Sequence, residues 1–157
     1  MAVFTLIISA CSSIDCPIEN TVAVKYKVYN NAADDGILKD TLWVLTRRSD
    51  DSLTVLLNRF VEKDSFFLPI SYSHPEDTLL LYMADTTGFW TLDTLWLKKD
   101  DIPHFESVDC GAHFFHRITD VRSTHEAIDS IVIVNPHVNY DQSTTHLQIY
   151  FGGFRVH

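Results

Sequence analysis

Imidazole and carboxylate side chains are concentrated in the last third of this 157-residue chain. Such groups bind zinc, and a histidine beside a carboxylate can also act as a general base. One interpretation is therefore a metal-binding protein or a metal-dependent hydrolase. The residues concerned are His104, His113, His116, His125, His137 and His146, together with Glu106, Asp109, Asp120 and Glu126.

The spacing of these histidines argues against a shared ion. His113 and His116 are three residues apart, which places their imidazoles on opposite faces of a strand, whereas zinc needs three or four converging ligands. His104 and His137 each follow a proline and are expected near strand ends at the surface. A hydrolase built on His116 or His125 would need a positioned nucleophile, and we find no familiar hydrolase or nucleotide-binding motif. We predict a protein that is not an enzyme and uses no cofactor.

The three cysteines offer a second kind of chemistry. Once Cys11 is set aside, Cys16 and Cys110 form an even pair, which an exported chain is expected to join in a disulfide. Closing so long a loop stabilises a fold by about 4 to 5 kcal/mol in the chain-entropy model. The alternative is a nucleophilic thiol at Cys110, but the neighbouring carboxylate of Asp109 disfavours the reactive thiolate.

Cys11 is set aside because the first eleven residues resemble a bacterial lipoprotein signal. They are uncharged and apolar, and small residues stand directly before Cys11. We predict a signal peptide over residues 1–10, a lipid on Cys11, and an anchor and tether over residues 11–20. Signals normally open with a basic residue, and the first one here is Lys25, so an apolar N-terminal strand is the alternative.

The net charge of −9 limits the class of partner. Nucleic acid requires a basic surface, and the only adjacent cations are Arg47-Arg48 and Lys98-Lys99, so we predict no nucleic-acid binding. After Ile8 no apolar run reaches the roughly eighteen residues that a membrane helix needs. Membrane contact is therefore expected through the lipid on Cys11 alone.

Strands with one buried face are the elements expected to position these residues, because apolar and polar positions alternate along most of the chain. Turn-forming residues separate the runs, and no long amphipathic helix pattern occurs. We predict an all-β fold, an antiparallel β-sandwich of immunoglobulin-like type over residues 21–151, with residues 152–157 as a tail. The predicted strands are Thr21–Asn30, Leu42–Arg47, Leu53–Phe60, Phe66–Ile70, Leu79–Ala84, Thr91–Lys98, Phe114–Arg122, Ile128–Val134 and Thr145–Phe151.

A short pattern of acid, hydroxyl and aliphatic residue recurs along the chain. Its spacing is irregular and lacks the dense loop of a calcium motif. We therefore expect each acid to mark the solvated start of a strand and to protect the strand edge. The acids are Asp40, Asp51, Asp77, Asp93 and Asp129.

The block Pro103–Cys110, paired with the segment around Cys16, resembles a family of uncharacterised Bacteroidota lipoproteins. Further matching segments are Asp15-Cys16-Pro17, Lys39–Leu42, Leu68–Tyr72, Phe115-His116, Ile128–Ile131, Asn135-Pro136 and Ile149–Phe151. The resemblance implies a lipid anchor and a small β domain, and it implies no reaction.

These observations together predict an outer-membrane lipoprotein of the bacterial envelope, on the periplasmic face, that acts as a binding or structural module. The charge of −9 suits a neutral or basic partner, for which we expect a protein or a glycan. Exposed aromatic residues would form such a binding surface, and the candidates are Trp90, Trp96 and Tyr140.

Overall fold

The structure is a computed structural model that describes residues 22–30, 36–105 and 113–152. Cys11, Cys16 and Cys110, with Glu106 and Asp109, lie outside these residues. The described residues form strands and no helix, and hence none that could cross a bilayer. The strands are β1 (Ala23–Asn30), β2 (Thr41–Arg47), β3 (Leu53–Phe60), β4 (Ser65–Pro69), β5 (Glu76–Ala84), β6 (Trp90–His104), β7 (His113–Ser123), β8 (Ile128–Ile133), β9 (His137–Val138) and β10 (Leu147–Phe151).

Two sheets pack face to face, which confirms the predicted β-sandwich. One sheet has four strands in the order β4-β1-β10-β8, and the other has six in the order β3-β2-β5-β6-β7-β9. Every pairing is antiparallel except that of β1 with β10, which is parallel. A parallel pair needs a long connection, and these two strands stand near opposite ends of the described chain.

The core forms because apolar side chains alternate onto the inner face of each sheet. Val24 and Tyr26 of β1 are fully buried and belong to the same cluster as Leu95 and Leu97 of β6. The Tyr26 ring also stacks on Phe66 of β4, with 5.0 Å between ring centroids. The apolar positions that alternate in the sequence therefore form the contact between the two sheets.

The other strands lie within three residues of their predicted bounds, and the two largest differences concern β6 and β9. β6 runs on to His104 and contains Pro103, a residue that central strands exclude. It is tolerated because β5 pairs with β6 only as far as Lys98, so β6 has a single neighbour, β7, at Pro103. β9 is not predicted at all, because its two residues are too few to show any alternation.

Asp93 contradicts the expectation that each repeated acid starts a strand in solvent. Its side chain is 1% exposed, on the inner face of β6. Its two carboxylate oxygens accept hydrogen bonds from the Thr124 hydroxyl and from the backbone N–H groups of Glu126, Ala127 and Ile128, at 2.7 to 3.0 Å. Asp93 therefore fixes the β7–β8 turn onto the sheet.

Candidate functional site

Two buried titratable side chains and one partly exposed carboxylate meet where β6 and β7 approach the loop between β4 and β5. Lys99 is 2% exposed and His116 is 3% exposed. The Lys99 ammonium donates to Asp101 Oδ1 and to the His74 carbonyl oxygen, both at 2.8 Å. His116 Nδ1 lies 2.7 Å from Asp101 Oδ1. We refer to Lys99, Asp101 and His116 as the interior charged cluster.

The ladder between β6 and β7 assembles this cluster. Lys99 follows Leu95 and Leu97 on the inner face of β6, as the alternation requires. The register shifts between Lys98 and Lys99, and beyond the shift Asp101 stands opposite His116. The register therefore brings the carboxylate to the imidazole.

The interior charged cluster is compensated electrostatically. Burial would raise the pKa of Asp101, but hydrogen bonds from Lys99 and His116 outweigh burial and hold that pKa below its usual range. Burial lowers the pKa of His116, and the hydrogen bond to Asp101 opposes this only in part. His116 is thus neutral at neutral pH, so Nδ1–H donates to the carboxylate and Nε2 stays an acceptor.

The loop that covers the cluster carries hydroxyls and a further histidine. Ser71 N–H donates to Asp77 at 3.0 Å, and burial raises the pKa of that carboxyl. Ser73 Oγ lies 2.9 Å from His74 Nδ1 at the surface. Among the described residues no hydroxyl is hydrogen-bonded to the His116 ring. The histidine–aspartate pair therefore has no nucleophile in the described part of the chain.

A cavity of about 370 Å³ adjoins the interior charged cluster. Both His113 and His116 line it, although a spacing of three predicts opposite faces of a strand. The adjacent Phe114 lines the cavity as well, so the cavity lies at the start of β7 and is bordered by residues from both faces of the strand. The described residues contain no group of three or more His, Cys, Asp or Glu side chains that could hold a metal ion. The cavity wall is completed by Val22, Ile70, Tyr72 and Phe114.

Three of the remaining histidines make structural contacts. The His104 ring stacks on Phe115 with 4.2 Å between centroids, and Tyr140 packs edge-on against Phe115 at 4.9 Å. His125 Nδ1 lies 3.0 Å from the Ile128 carbonyl oxygen. Buried His146 accepts the Lys25 backbone N–H at Nδ1, and burial lowers its pKa. His137 is exposed on β9.

The outer face of the six-stranded sheet carries apolar side chains where solvent would favour polar ones. Trp90 is 56% exposed and Leu92 is 44% exposed. These side chains alternate with inward-facing core residues, so β2, β5 and β6 are apolar on both faces. We call this surface the outer apolar face, and it comprises Trp43, Leu45, Leu53, Val55, Leu80, Tyr82, Trp90 and Leu92.

Aromatic rings cross the outer apolar face from strand to strand. Tyr82 lies between Trp43 and Trp90, with 5.4 Å between centroids on each side. Of the three aromatic residues predicted to form a binding surface, only Trp90 belongs to this face. The Arg122 guanidinium covers the Trp96 ring at 5.1 Å, and Tyr140 packs against Phe115.

Two adjoining grooves follow this side of the sheet. The first, which we call the apolar groove, has a volume of about 410 Å³ and is lined by Trp43, Leu45, Leu53, Leu80, Tyr82 and Leu92. The second, the polar groove, has a volume of about 610 Å³, and Arg47, Arg48, Ser71 and His74 are among its lining residues. Leu80 lines both grooves, so the two adjoin at this residue.

The outer face of the four-stranded sheet differs in composition. Lys25 and Lys27 project from β1, and their ammonium groups lie 5.6 Å and 5.4 Å from the ring centroids of Phe67 and Tyr29. Cations thus cover the aromatic rings on that side. The apolar groove has no charged side chain in its lining.

No match is found among curated proteins or solved structures. A family model described as a family of unknown function matches residues 41–151, which is more than half of the chain. The match includes the strands that carry the outer apolar face and the interior charged cluster. The chain therefore belongs to this family of unknown function, DUF6452.

Proposed function

We propose that the chain is a non-catalytic binding module of the bacterial cell envelope, held at the membrane by lipid on Cys11. Its binding surface in this proposal is the outer apolar face, which holds the apolar part of an amphipathic molecule. The observation that carries the proposal is a continuous apolar surface of eight side chains on paired strands, four of them exposed and four half-buried. An exposed apolar patch of this kind marks an interaction site.

The lining of the apolar groove favours an alkyl chain over a glycan. A sugar brings many hydroxyl groups that need hydrogen-bond partners. The groove offers few such partners, because Trp43 and Tyr82 are the only residues of its lining with polar side-chain atoms. Its aliphatic residues, by contrast, can cover a hydrocarbon chain over several methylenes. The sequence predicts a protein or a glycan as the partner, and the test below can distinguish these partners from an alkyl chain.

The proposed compartment draws support from the cavity beside the interior charged cluster. Val22 and His113 both line that cavity. Cys16 precedes Val22 by six residues and Cys110 precedes His113 by three. An extended chain spans about 3.3 to 3.6 Å per residue, so connectivity allows the two sulfur atoms to meet. We therefore keep the Cys16–Cys110 disulfide as part of the proposal.

The non-catalytic character is supported by the geometry around His116. Its Nδ1 is engaged by Asp101, whose carboxylate also accepts from Lys99. A general base of this kind needs a nucleophile or a substrate proton within hydrogen-bond reach. The described residues place no hydroxyl there, and the charges of the cluster are satisfied by one another.

Tryptophan fluorescence of the full chain during titration with n-alkyl maltosides tests the proposal. Octyl, decyl and dodecyl maltoside are each kept below the concentration at which they form micelles. We expect a saturable blue shift, because Trp43 and Trp90 become covered. Each added methylene should tighten binding about two- to fourfold, since a fully buried methylene contributes about 0.8 kcal/mol.

The control variants compare two exposed apolar residues on different sheets. Leu92→Asp places a charge in the apolar groove and should weaken binding at least tenfold. Val132→Asp changes a residue of similar exposure, 46%, on β8 of the other sheet and should leave binding unchanged. Equal effects of both substitutions, or binding of free maltose as tight as that of dodecyl maltoside, would contradict the proposal.

Mass spectrometry of the full-length protein extracted from its own membranes tests the anchor. We expect cleavage before Cys11, acyl groups on that cysteine, and a mass lower by two hydrogens from the Cys16–Cys110 disulfide. An unprocessed chain with three free thiols would refute both the lipid anchor and the proposed compartment.

A further inference from the structure

The polar groove has two walls of different chemistry. Arg47 and Arg48 follow each other at the end of β2, where the chain turns towards β3. Ser71 and His74, on the loop between β4 and β5, form the facing wall. One wall thus brings positive charge, and the other brings hydroxyl and imidazole groups.

Two acidic residues, Glu76 and Asp77, also line this groove, and both are engaged by other groups. Both carboxylate oxygens of Glu76 accept from Arg122, at 3.1 and 3.0 Å. Asp77 accepts the Ser71 N–H. On the other wall, Asp51 lies 3.6 Å from Arg47. Asp50, in the same turn, accepts both polar hydrogens of Ser52 and is absent from the groove lining.

Arg48 is the cation that these contacts leave available. Its backbone closes the turn, as Arg48 N–H donates to the Ser52 carbonyl oxygen and Asp51 N–H donates to that of Arg48. Within the described residues, its guanidinium makes no hydrogen bond or ion pair. An exposed guanidinium in a groove can bind a phosphate or carboxylate in a bidentate manner.

We infer that the polar groove binds the anionic head group of the amphiphile whose chain lies in the apolar groove. This inference rests on the proposed function and deepens it by naming the ligand class, a single-chain amphiphile with a phosphate or carboxylate head. Leu80 lines both grooves, so one ligand can span them. The ligand is taken as a free monomer, because the two grooves adjoin at Leu80 and one extended molecule is enough to reach both.

The head group faces a defined set of partners. The Arg48 guanidinium supplies most of the positive charge. Arg47 contributes less, because its guanidinium is also paired with Asp51. The hydroxyls of Ser71 and Ser73 contact each other and His74 Nδ1, so each must rotate away from these contacts to donate to an oxygen of the head group. The net charge of −9 opposes the approach of anions, so recognition depends on these local cations.

Titration of the full chain with dodecyl phosphate and dodecyl maltoside tests the inference, since both ligands carry the same alkyl chain. We expect dodecyl phosphate to bind at least tenfold more tightly at low salt, and this preference to shrink as salt is added. Arg48→Gln should remove most of the preference, because only Arg47 then remains, while leaving the affinity for dodecyl maltoside unchanged. Arg117→Gln, which removes an exposed cation on β7, should change neither affinity.

Each other outcome has a separate meaning. Equal affinity for both ligands, or a loss of both in Arg48→Gln, would overturn the inference and leave the proposed function standing. Binding of neither ligand would overturn both. Binding to phosphatidylglycerol vesicles without binding of monomeric dodecyl phosphate would overturn the inference, because the occupant would then be a membrane surface.

Discussion

The interior charged cluster places charged groups inside the protein, and the outer apolar face places apolar side chains at its surface, which is the reverse of the usual arrangement. In the cluster, Lys99 and His116 are almost fully buried, yet their charges and polar atoms are matched by Asp101 and the His74 carbonyl. On the outer apolar face, Trp90 and three further apolar side chains are exposed, and the other four are half-buried. The cluster is complete in itself, whereas the outer face is left for a partner.

This difference shows how to separate structural from functional features in a protein of unknown activity. Buried charges draw attention because perturbed pKa values collect at active sites. Here the perturbed groups satisfy one another, so their expected role is to hold β6, β7 and the β4–β5 loop together. The exposed apolar side chains have no such internal explanation, which is why the proposed function rests on them.

The largest effect is expected from breaking the interior charged cluster at its cation. Lys99→Met removes the ammonium that donates to both the Asp101 carboxylate and the His74 carbonyl, and it should cost about 3 to 5 kcal/mol of unfolding free energy. Urea denaturation measures this loss. Lys98→Met, one residue earlier but exposed, should change stability by about 0.5 kcal/mol or less. Similar losses in both variants would show that the cluster is not a distinct structural unit.

A second buried carboxylate should show nearly as large an effect. Asp93→Asn retains the size of the side chain but turns one acceptor into a donor that faces backbone N–H groups. We expect a loss of about 2 to 3 kcal/mol in denaturant unfolding. Asp129→Asn, in an exposed copy of the same sequence pattern, should cost about 0.5 kcal/mol or less. A mild Asp93 variant would mean that water replaces the lost acceptor.

Acidification should lower the unfolding free energy, because two buried histidines bind protons more readily once the chain is unfolded. The pKa values of His116 and His146 are lowered in the folded protein, so below about pH 6.5 the unfolded chain binds more protons. Unfolding free energy should therefore fall from pH 7 towards pH 5. Asp77, with its raised pKa, acts in the opposite direction.

A variant isolates the contribution of one histidine to this pH dependence. His146→Gln keeps an acceptor for the Lys25 N–H but does not titrate in this range. The loss of stability between pH 7 and pH 5, measured in urea, should be smaller than in the unaltered chain. An unchanged loss would assign the pH dependence to other groups.

The smallest effect on stability is expected on the outer apolar face. Leu92→Thr places a residue with a high strand propensity at an exposed position, so the unfolding free energy should change by about 0.5 kcal/mol or less. Binding of a hydrophobic dye to the protein should fall. Leu95→Thr, on the inner face of the same strand, should cost about 3 kcal/mol because Leu95 is fully buried. A large loss for Leu92→Thr would mean that this face belongs to the core.

Local patterns in the sequence predict the strands well but predict these two regions only in part. The alternation Leu95, Leu97, Lys99 does indicate that Lys99 points inward, a signal hidden by the adjacent Lys98. The contact of Asp101 with His116 follows from a register shift between β6 and β7, which no local pattern reveals. Burial of Asp93 likewise depends on a distant turn.

The outer apolar face could not be derived from any one strand. Trp90 was predicted as an exposed candidate, but its neighbours come from β2, β3 and β5. They become neighbours only through the strand order β3-β2-β5-β6. Apolar residues on both faces of β5 also resemble an ordinary buried strand when the sequence is considered alone.

The parallel pairing of β1 with β10 has a consequence for the timing of folding. β10 lies between β1 and β8 but is the last of the ten strands to be synthesised. Until it emerges from the ribosome, the four-stranded sheet lacks an inner strand and one edge of β1 has no partner. The sandwich can therefore close only after translation has passed Phe151, so the nine earlier strands must wait for β10 before the four-stranded sheet is complete.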